Sequence, residues 1–316
     1  MKRILRAIAL LFIPIFMYAA VFIVFEPNNY FGLRKEATGT DIMAALRQYE
    51  ASPQDSIILG DSRLAKLDLA IAQEQTGLDY ANLAFGGAGF KEQIDILEWA
   101  INTNPNLKNV VFQVSFYTLN ASYNQDRMVI RALNNPLVYM TNLGYNLNML
   151  TNLYNHLNPN LTPGDEAETM DPADYKYVSY LNPEDGQTYT VREKLASHLT
   201  DVYGRSKGWK LNTEQLERLM QMIDENPGIQ FSLVLPPVHP DLHTFITDPL
   251  GITDAMQPVL EELQNSGALV IDYEFSSSNL PDTDFFDLFH LDEKRGLDKW
   301  TTDLFSMVAQ QERQGA

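Results

Sequence analysis

The stretch IILGDSRLAKLD, residues 57–68, decides the fold. Three apolar residues run into Gly60-Asp61-Ser62-Arg63, and an amphipathic pattern begins directly after them. A short apolar run bounded by glycine reads as a buried strand. Ser62 therefore stands where a strand hands over to a helix. That is where an α/β protein can expose a serine nucleophile, and it is also where a serine caps a helix. The four residues alone do not choose between these readings. A nucleophile needs a base, an orienting acid and an oxyanion hole from elsewhere in the chain.

Four further runs follow the same plan. LDYANLAFGG (78–87) is a second strand ending in glycines, and NVVFQVSFY (109–117) a third. IQFSLVLPP (229–237) is a fourth, stopped by its prolines, and ALVIDY (268–273) a fifth. Helical patterns lie between and around them. TDIMAALRQYE (40–50) is short and amphipathic, and KEQIDILEWAIN (91–102) spaces Ile94, Leu97 and Ile101 at helical intervals. TEQLERLMQMIDEN (213–226) puts Leu216, Leu219, Met220 and Ile223 on one face, with Thr213 as N-cap. DAMQPVLEELQNSG (254–267) closes on Gly267. DEKRGLDKWTTDLFSMVAQQ (292–311) turns Leu297, Trp300, Leu304 and Met307 inward. Strands without strict alternation, separated by helices, predict a parallel sheet covered on both faces. The expected fold is α/β: a doubly wound five-stranded parallel sheet of flavodoxin-like order, with ligands outside the carboxyl ends of the strands.

Residues 121–210 break the alternation and are rich in Asn, Tyr and Pro. Within them LGYNLNMLTNLYNHL (143–157) places Leu143, Leu147, Leu150 and Leu157 on one helical stripe. This segment reads as an insertion after the third strand. Packing over the sheet is its simplest role, and a lid or partner surface the sharper one.

The bulk composition excludes several classes. The chain has 316 residues, 23 basic and 41 acidic, for a net charge of −18. That balance opposes long-range attraction to nucleic acid or to an anionic membrane surface. Cysteine is absent, which excludes disulfides, cysteine nucleophiles and thiolate metal sites. Hydrophobic residues make up 45%, enough for a real core. At the N-terminus Lys2, Arg3 and Arg6 precede an uncharged run over residues 7–25. At the helical rise that run measures about 28 Å, close to the hydrocarbon thickness of a bilayer. It predicts an uncleaved anchor over residues 1–27 rather than a signal peptide, whose apolar core is shorter. The positive flank faces inward, so residues 28–316 are expected outside the cytoplasm, on a single-pass protein of the cell membrane.

The second chemistry-bearing element is Asp287-Leu288-Phe289-His290. An Asp and a His three apart in a turn can place a carboxylate on one imidazole nitrogen while the other faces out, fixing the tautomer and steadying the imidazolium. Asp284 is an alternative acid. A third element, NLAFGGAGF (82–90), ends the second strand in glycines whose N–H groups can approach a developing oxyanion. As a phosphate loop it fails, because neither G-x-x-x-x-G-K-[ST] nor G-x-G-x-x-G is present. His239, Asp241 and His243 could be read as metal ligands, but Pro240 argues against a regular helix through them and no further ligand cluster accompanies them. No metal and no cofactor is expected, and His239 reads as a loop residue lining the site. His156 and His198 lie in the insertion and read as structural.

Gly60-Asp61-Ser62 near the start, a glycine after the second strand and Asp-x-x-His near the end resemble the SGNH (GDSL-like) hydrolase superfamily. The resemblance covers roughly residues 52–310 without the insertion. It is similar in particular to the membrane-anchored branch found in polysaccharide O-acetylation and teichoic-acid D-alanylation systems. It implies Ser62 as nucleophile, Gly87 as oxyanion glycine, His290 as base and Asp287 as its partner. There is a departure. The superfamily supplies a third oxyanion donor from Gly-x-Asn-Asp after the third strand, and here that place reads Ser115-Phe116-Tyr117-Thr118. Tyr117 falls at the Asn position, and Asn120 lies three residues on. Loss of one such donor costs roughly 3 kcal/mol in barrier. The usual His-Pro is His290-Leu291 here. The resemblance implies a membrane-anchored serine esterase or O-acyltransferase acting on acyl esters of cell-envelope polysaccharide, with a membrane-bound O-acyltransferase as partner. The competing expectation is a non-catalytic binding or assembly module that keeps the fold. A cytoplasmic nucleotide-binding protein is excluded by the missing phosphate loop and the apolar N-terminus.

Overall fold

The structure is a computed structural model, and it describes residues 2–33, 42–123, 125–158, 176–181, 186–193, 209–247, 251–276 and 280–315. Contacts divide the chain into two compact units. Residues 49–126 with 169–316 form one, and residues 1–48 with 127–168 the other.

The first unit is built on a five-stranded parallel sheet. Its strands are β1 (Ser56–Leu59), β2 (Tyr80–Asn82), β3 (Asn109–Gln113), β6 (Gln230–Leu235) and β7 (Leu269–Asp272). They lie in the order β2-β1-β3-β6-β7. Ile57 pairs with Ala81 on one side and Val110 on the other, while Val110 pairs in turn with Phe231. This is the doubly wound order, which reverses direction between β1 and β3 and leaves a crevice at their carboxyl ends. All four residues of β1 are buried, because helices cover both of its faces. On one face Ile58, Val111, Val234 and Ile271 meet Trp300, Leu304, Phe305 and Val308 of the last helix, Asp298–Gly315, together with Ala72 of helix Leu69–Thr76. On the other, Phe90 of helix Phe90–Thr103 sets its ring edge-on to Phe112, 5.5 Å away. Helix Thr213–Glu225 packs on that helix, where Arg218 bonds Asp95 and Glu98.

Several local expectations need correction. Met307 is 37% exposed, and Val308 takes the inward place. Trp300, Leu304 and Val308 recur every fourth residue, so the buried stripe continues at 308 rather than 307. Asn212, not Thr213, is the N-cap of helix Thr213–Glu225. Pro240 opens a helix instead of preventing one: Pro240–Thr247 is helical. Proline suits the first helical position, where its missing N–H would have had no acceptor. Within the expected insertion, β4 (Tyr177–Leu181) and β5 (Thr188–Arg192) pair as an antiparallel hairpin that periodicity did not announce.

The second unit contains helix Lys2–Phe25, which runs unbroken past Pro14, and the helices Pro136–Thr141 and Leu143–Leu157. Its core is aromatic. Tyr139 stacks on Tyr30 at 4.1 Å, takes the edge of Phe22 at 5.4 Å, and meets Tyr145 at 4.5 Å. The Tyr139 hydroxyl donates to the buried Glu26 at 2.9 Å. Among the described residues no helix is long and apolar enough to cross a membrane, so the span expected over residues 7–25 is not shown. His198 lies outside the described residues.

Candidate active site

β1 ends at Gly60, where a side chain would have no room. A Cβ there would lie 2.8 Å from Gln113 Oε1 and 2.9 Å from Leu64 Cβ. The close approach lets Gln113, the last residue of β3, accept the Asp61 N–H at 3.1 Å. Asp61 then caps the four-residue helix Ser62–Ala65 by accepting the Arg63 N–H at 2.9 Å. Ser62 is thus lifted off the strand end by a turn pinned on both sides.

The other two elements arrive at the same edge. Ser62 Oγ lies 2.6 Å from His290 Nε2. His290 Nδ1 lies 2.8 Å from Asp287 Oδ2 and 2.9 Å from Oδ1. With Asp287 as acceptor, Nδ1 carries the proton and Nε2 is left to accept from the serine hydroxyl. The turn holding them is closed on itself. Asp287 Oδ1 accepts the N–H groups of Phe289 and His290, each at 2.8 Å, and Phe286 N–H donates to the His290 carbonyl at 2.8 Å. Burial pushes the Asp287 carboxyl up, but His290 and those two N–H groups outweigh it and hold it below its ordinary value. Asp284 is not the acid: it is buried and paired with Lys299 at 3.1 Å.

The remaining candidates are placed as follows. Gly87 has φ +66°, and its carbonyl accepts the Tyr123 hydroxyl at 3.2 Å. Tyr117 lies with its ring 4.1 Å from Tyr123 and 5.3 Å from Phe289. Burial and then Tyr123, to which it is hydrogen-bonded, raise its hydroxyl well above the ordinary tyrosine range. Asn120 is a buried turn residue whose side-chain oxygen accepts the Ser122 N–H at 3.0 Å. His239 is 1% exposed and sits behind the His290 turn. Its N–H holds the Leu288 carbonyl at 2.9 Å, and its Nδ1 accepts the Asp241 N–H at 3.0 Å. Burial, reinforced by Arg192, pushes its pKa down to about 3, so the ring is neutral. Among the described residues no cluster of three or more metal-binding side chains occurs.

Sequence reasoning missed a buried ionic network immediately beneath Ser62. Arg63, 5% exposed, forks onto Asp61 through Nε at 3.1 Å and Nη2 at 2.7 Å. Its Nη1 reaches Glu274 at 3.4 Å. Glu274, fully buried just past β7, accepts the Ser115 hydroxyl at 2.6 Å and the Phe116 N–H at 2.9 Å. One carboxylate thereby ties the turn Ser115-Phe116 after β3 to the arginine beside Ser62. Burial raises Glu274 to about 7 against the pull of Arg63, Ser115 and Phe116. Burial also lifts Asp61, but Arg63 more than reverses this and leaves it below its ordinary value. The available signal was Arg63 itself: an arginine at the first turn after a buried strand needs a buried partner.

No protein-family model and no curated protein matches the chain. A solved structure described as "a putative platelet activating factor from Streptococcus pneumonia" aligns with it at a TM-score of 0.40 and 11% identity, over 84% of this chain and 91% of that one.

Proposed function

We propose that the chain is a membrane-held serine esterase or O-acyltransferase acting on acyl esters of cell-envelope polysaccharide. The observation that carries this reading is the unbroken hydrogen-bonded line from Ser62 Oγ through His290 to Asp287. In the proposed cycle Ser62 Oγ attacks the acyl carbonyl carbon while His290 Nε2 takes its proton. Asp287 holds Nδ1–H and stabilises the imidazolium. The N–H groups of Ser62 and Gly87 face the oxyanion. Collapse of the tetrahedral intermediate breaks the ester bond, and Nε2–H protonates the departing alkoxide. Water or a sugar hydroxyl, deprotonated by Nε2, then attacks the acyl-serine, and Ser62 recovers its proton.

The polysaccharide substrate and the membrane-bound O-acyltransferase partner follow from the resemblance of the sequence to the anchored SGNH branch. The membrane seat is supported by the uncharged run over residues 7–25 and its basic flank. On that helix Phe16, Met17 and Val24 are 70%, 63% and 57% exposed. The test is labelling of the full chain by a fluorophosphonate, followed by peptide mapping. Adduct on Ser62, absent in Ser62→Ala, is the expected result. A folded protein that neither labels nor hydrolyses an aryl acetate would overturn the reading.

A further inference from the structure

The helices Pro136–Thr141 and Leu143–Leu157 carry no role in this chemistry, yet their composition is unlike the rest of the chain. One residue in five of the protein is charged, but residues 132–164 contain no Asp, Glu, Lys or Arg. Along helix Leu143–Leu157 the side chains of Leu143, Leu147, Leu150, Tyr154 and Leu157 form a stripe exposed by 73, 54, 51, 57 and 68%. A contiguous apolar surface of this kind marks an interaction site rather than ordinary exposure.

The same unit shows what the stripe lies beside. Tyr18 of helix Lys2–Phe25 donates its hydroxyl to Asn146 at 2.6 Å and also to the Met140 carbonyl. Asn152 Nδ2 donates to the Phe25 carbonyl at 2.7 Å, and the Phe25 ring lies 5.3 Å from that of His156. Position 18 meets 146 and position 25 meets 152 and 156, so the two helices run side by side in the same direction over the last two turns of the first. Several asparagines of this segment are bonded within the unit. Asn142 Nδ2 bonds the Arg127 carbonyl, Asn146 Nδ2 the carbonyls of Met140 and Asn142, and Asn158 Nδ2 that of Tyr154. Internal satisfaction of polar groups is what a medium without water demands.

We infer that the leucine stripe of helix Leu143–Leu157 lies at acyl-chain depth in the lipid layer, as a second membrane contact beside the N-terminal helix. This rests on the membrane seat proposed for residues 7–25. A docking helix from another protein would need only the stripe to be dry, and helices paired in water keep charges at the positions flanking their seam. Residues 132–158 lack charge, with the Arg127 side chain lying beside Gly144 at the first turn of the helix. The uncharged stripe points to a surrounding medium and not to a single partner. At about 22 Å the helix is too short to cross a bilayer. It reaches into one leaflet, level with residues 18–25.

The test is a photo-crosslinking benzophenone amino acid placed singly at Leu150, Leu147, Phe16 or Gln221 of the full chain, irradiated in the cells that make it. Gln221 lies on the exposed face of helix Thr213–Glu225 and serves as the water-facing reference. The expected result is a lipid-mass adduct at 150, 147 and 16, at least several-fold above that at 221. A protein-sized adduct at 150 and 147 would overturn the inference in favour of a partner or a second copy. No adduct above the Gln221 level at 150 and 147, with lipid captured at 16, would overturn it and leave the membrane seat standing. Loss of lipid capture at 16 as well would remove the membrane seat itself.

Discussion

Two regions of this protein solve opposite electrostatic problems. At the Ser62 edge the sheet buries charge and pairs it: Asp61, Arg63, Glu274 and Asp287 are all at most 8% exposed, each with a bonded partner. In the unit holding the N-terminal helix, residues 132–164 have shed charge, while leucines stand exposed. The first pattern suits an edge that must fix a few atoms to within tenths of an ångström. The second suits a surface whose surroundings are themselves apolar. The difference teaches that buried charge at the sheet edge is a tool for geometry, since each carboxylate there, Asp61, Glu274 and Asp287, is met by several backbone and side-chain donors.

The largest expected break in that contrast is at Ser62, the proposed nucleophile. Ser62→Ala should lower ester hydrolysis by roughly four orders of magnitude or more, and Asp287→Asn by about as much. Neither should shift the thermal midpoint by more than a few degrees, which a melting curve beside the rate assay checks. Next comes Arg63→Met. It leaves Asp61 and Glu274 buried without their cation, so we expect a loss of about 3–5 kcal/mol in denaturant unfolding. A loss under about 1 kcal/mol would mean that the network is not closed as described.

Glu274→Gln tests the same network through pH. Glu274 titrates at about 7 in the folded chain against an ordinary value of 4.5. Between those values the native state holds the extra proton. Its contribution is complete below about pH 4.5 and is lost as pH rises to about 7, a change on the order of 3 kcal/mol. Asp61 and Asp287 have the opposite sign: both lie below the ordinary 3.8, so their contribution is complete above that value and is lost as pH falls from it through the lower folded values. His239, held neutral down to about pH 3, works in the opposite sense over part of this window, so the readout is a difference: the unfolding free energy of wild type relative to Glu274→Gln should fall from pH 4.5 to 7.5. Equal slopes would exclude Glu274 as the titrating group.

The smallest expected effect is at Tyr117. Its hydroxyl is bonded to Tyr123 and its ring packs between Tyr123 and Phe289. Tyr117→Phe should therefore change the rate of aryl acetate hydrolysis by less than about five-fold. A loss of about 100-fold would instead make that hydroxyl an oxyanion donor.

By itself the sequence determined the strand order class and the elements that carry the site. Runs such as IILG and NVVFQV are short, apolar and glycine- or helix-bounded, which only a sheet covered on both faces accommodates. Asp287 and His290 lie three apart, so their pairing is a local property of one turn. Tertiary structure alone decided three other things. It brought Ser62 to His290 across 228 positions of chain. It chose Asp287 over Asp284 by giving the latter to Lys299. It assembled Asp61, Arg63, Glu274 and Ser115 from β1, β3 and β7, three strands far apart in sequence. Periodicity reports which face of an element is buried. It does not report which charged groups meet at the ends of strands, because that depends on the register between strands, and register is set only when the sheet forms.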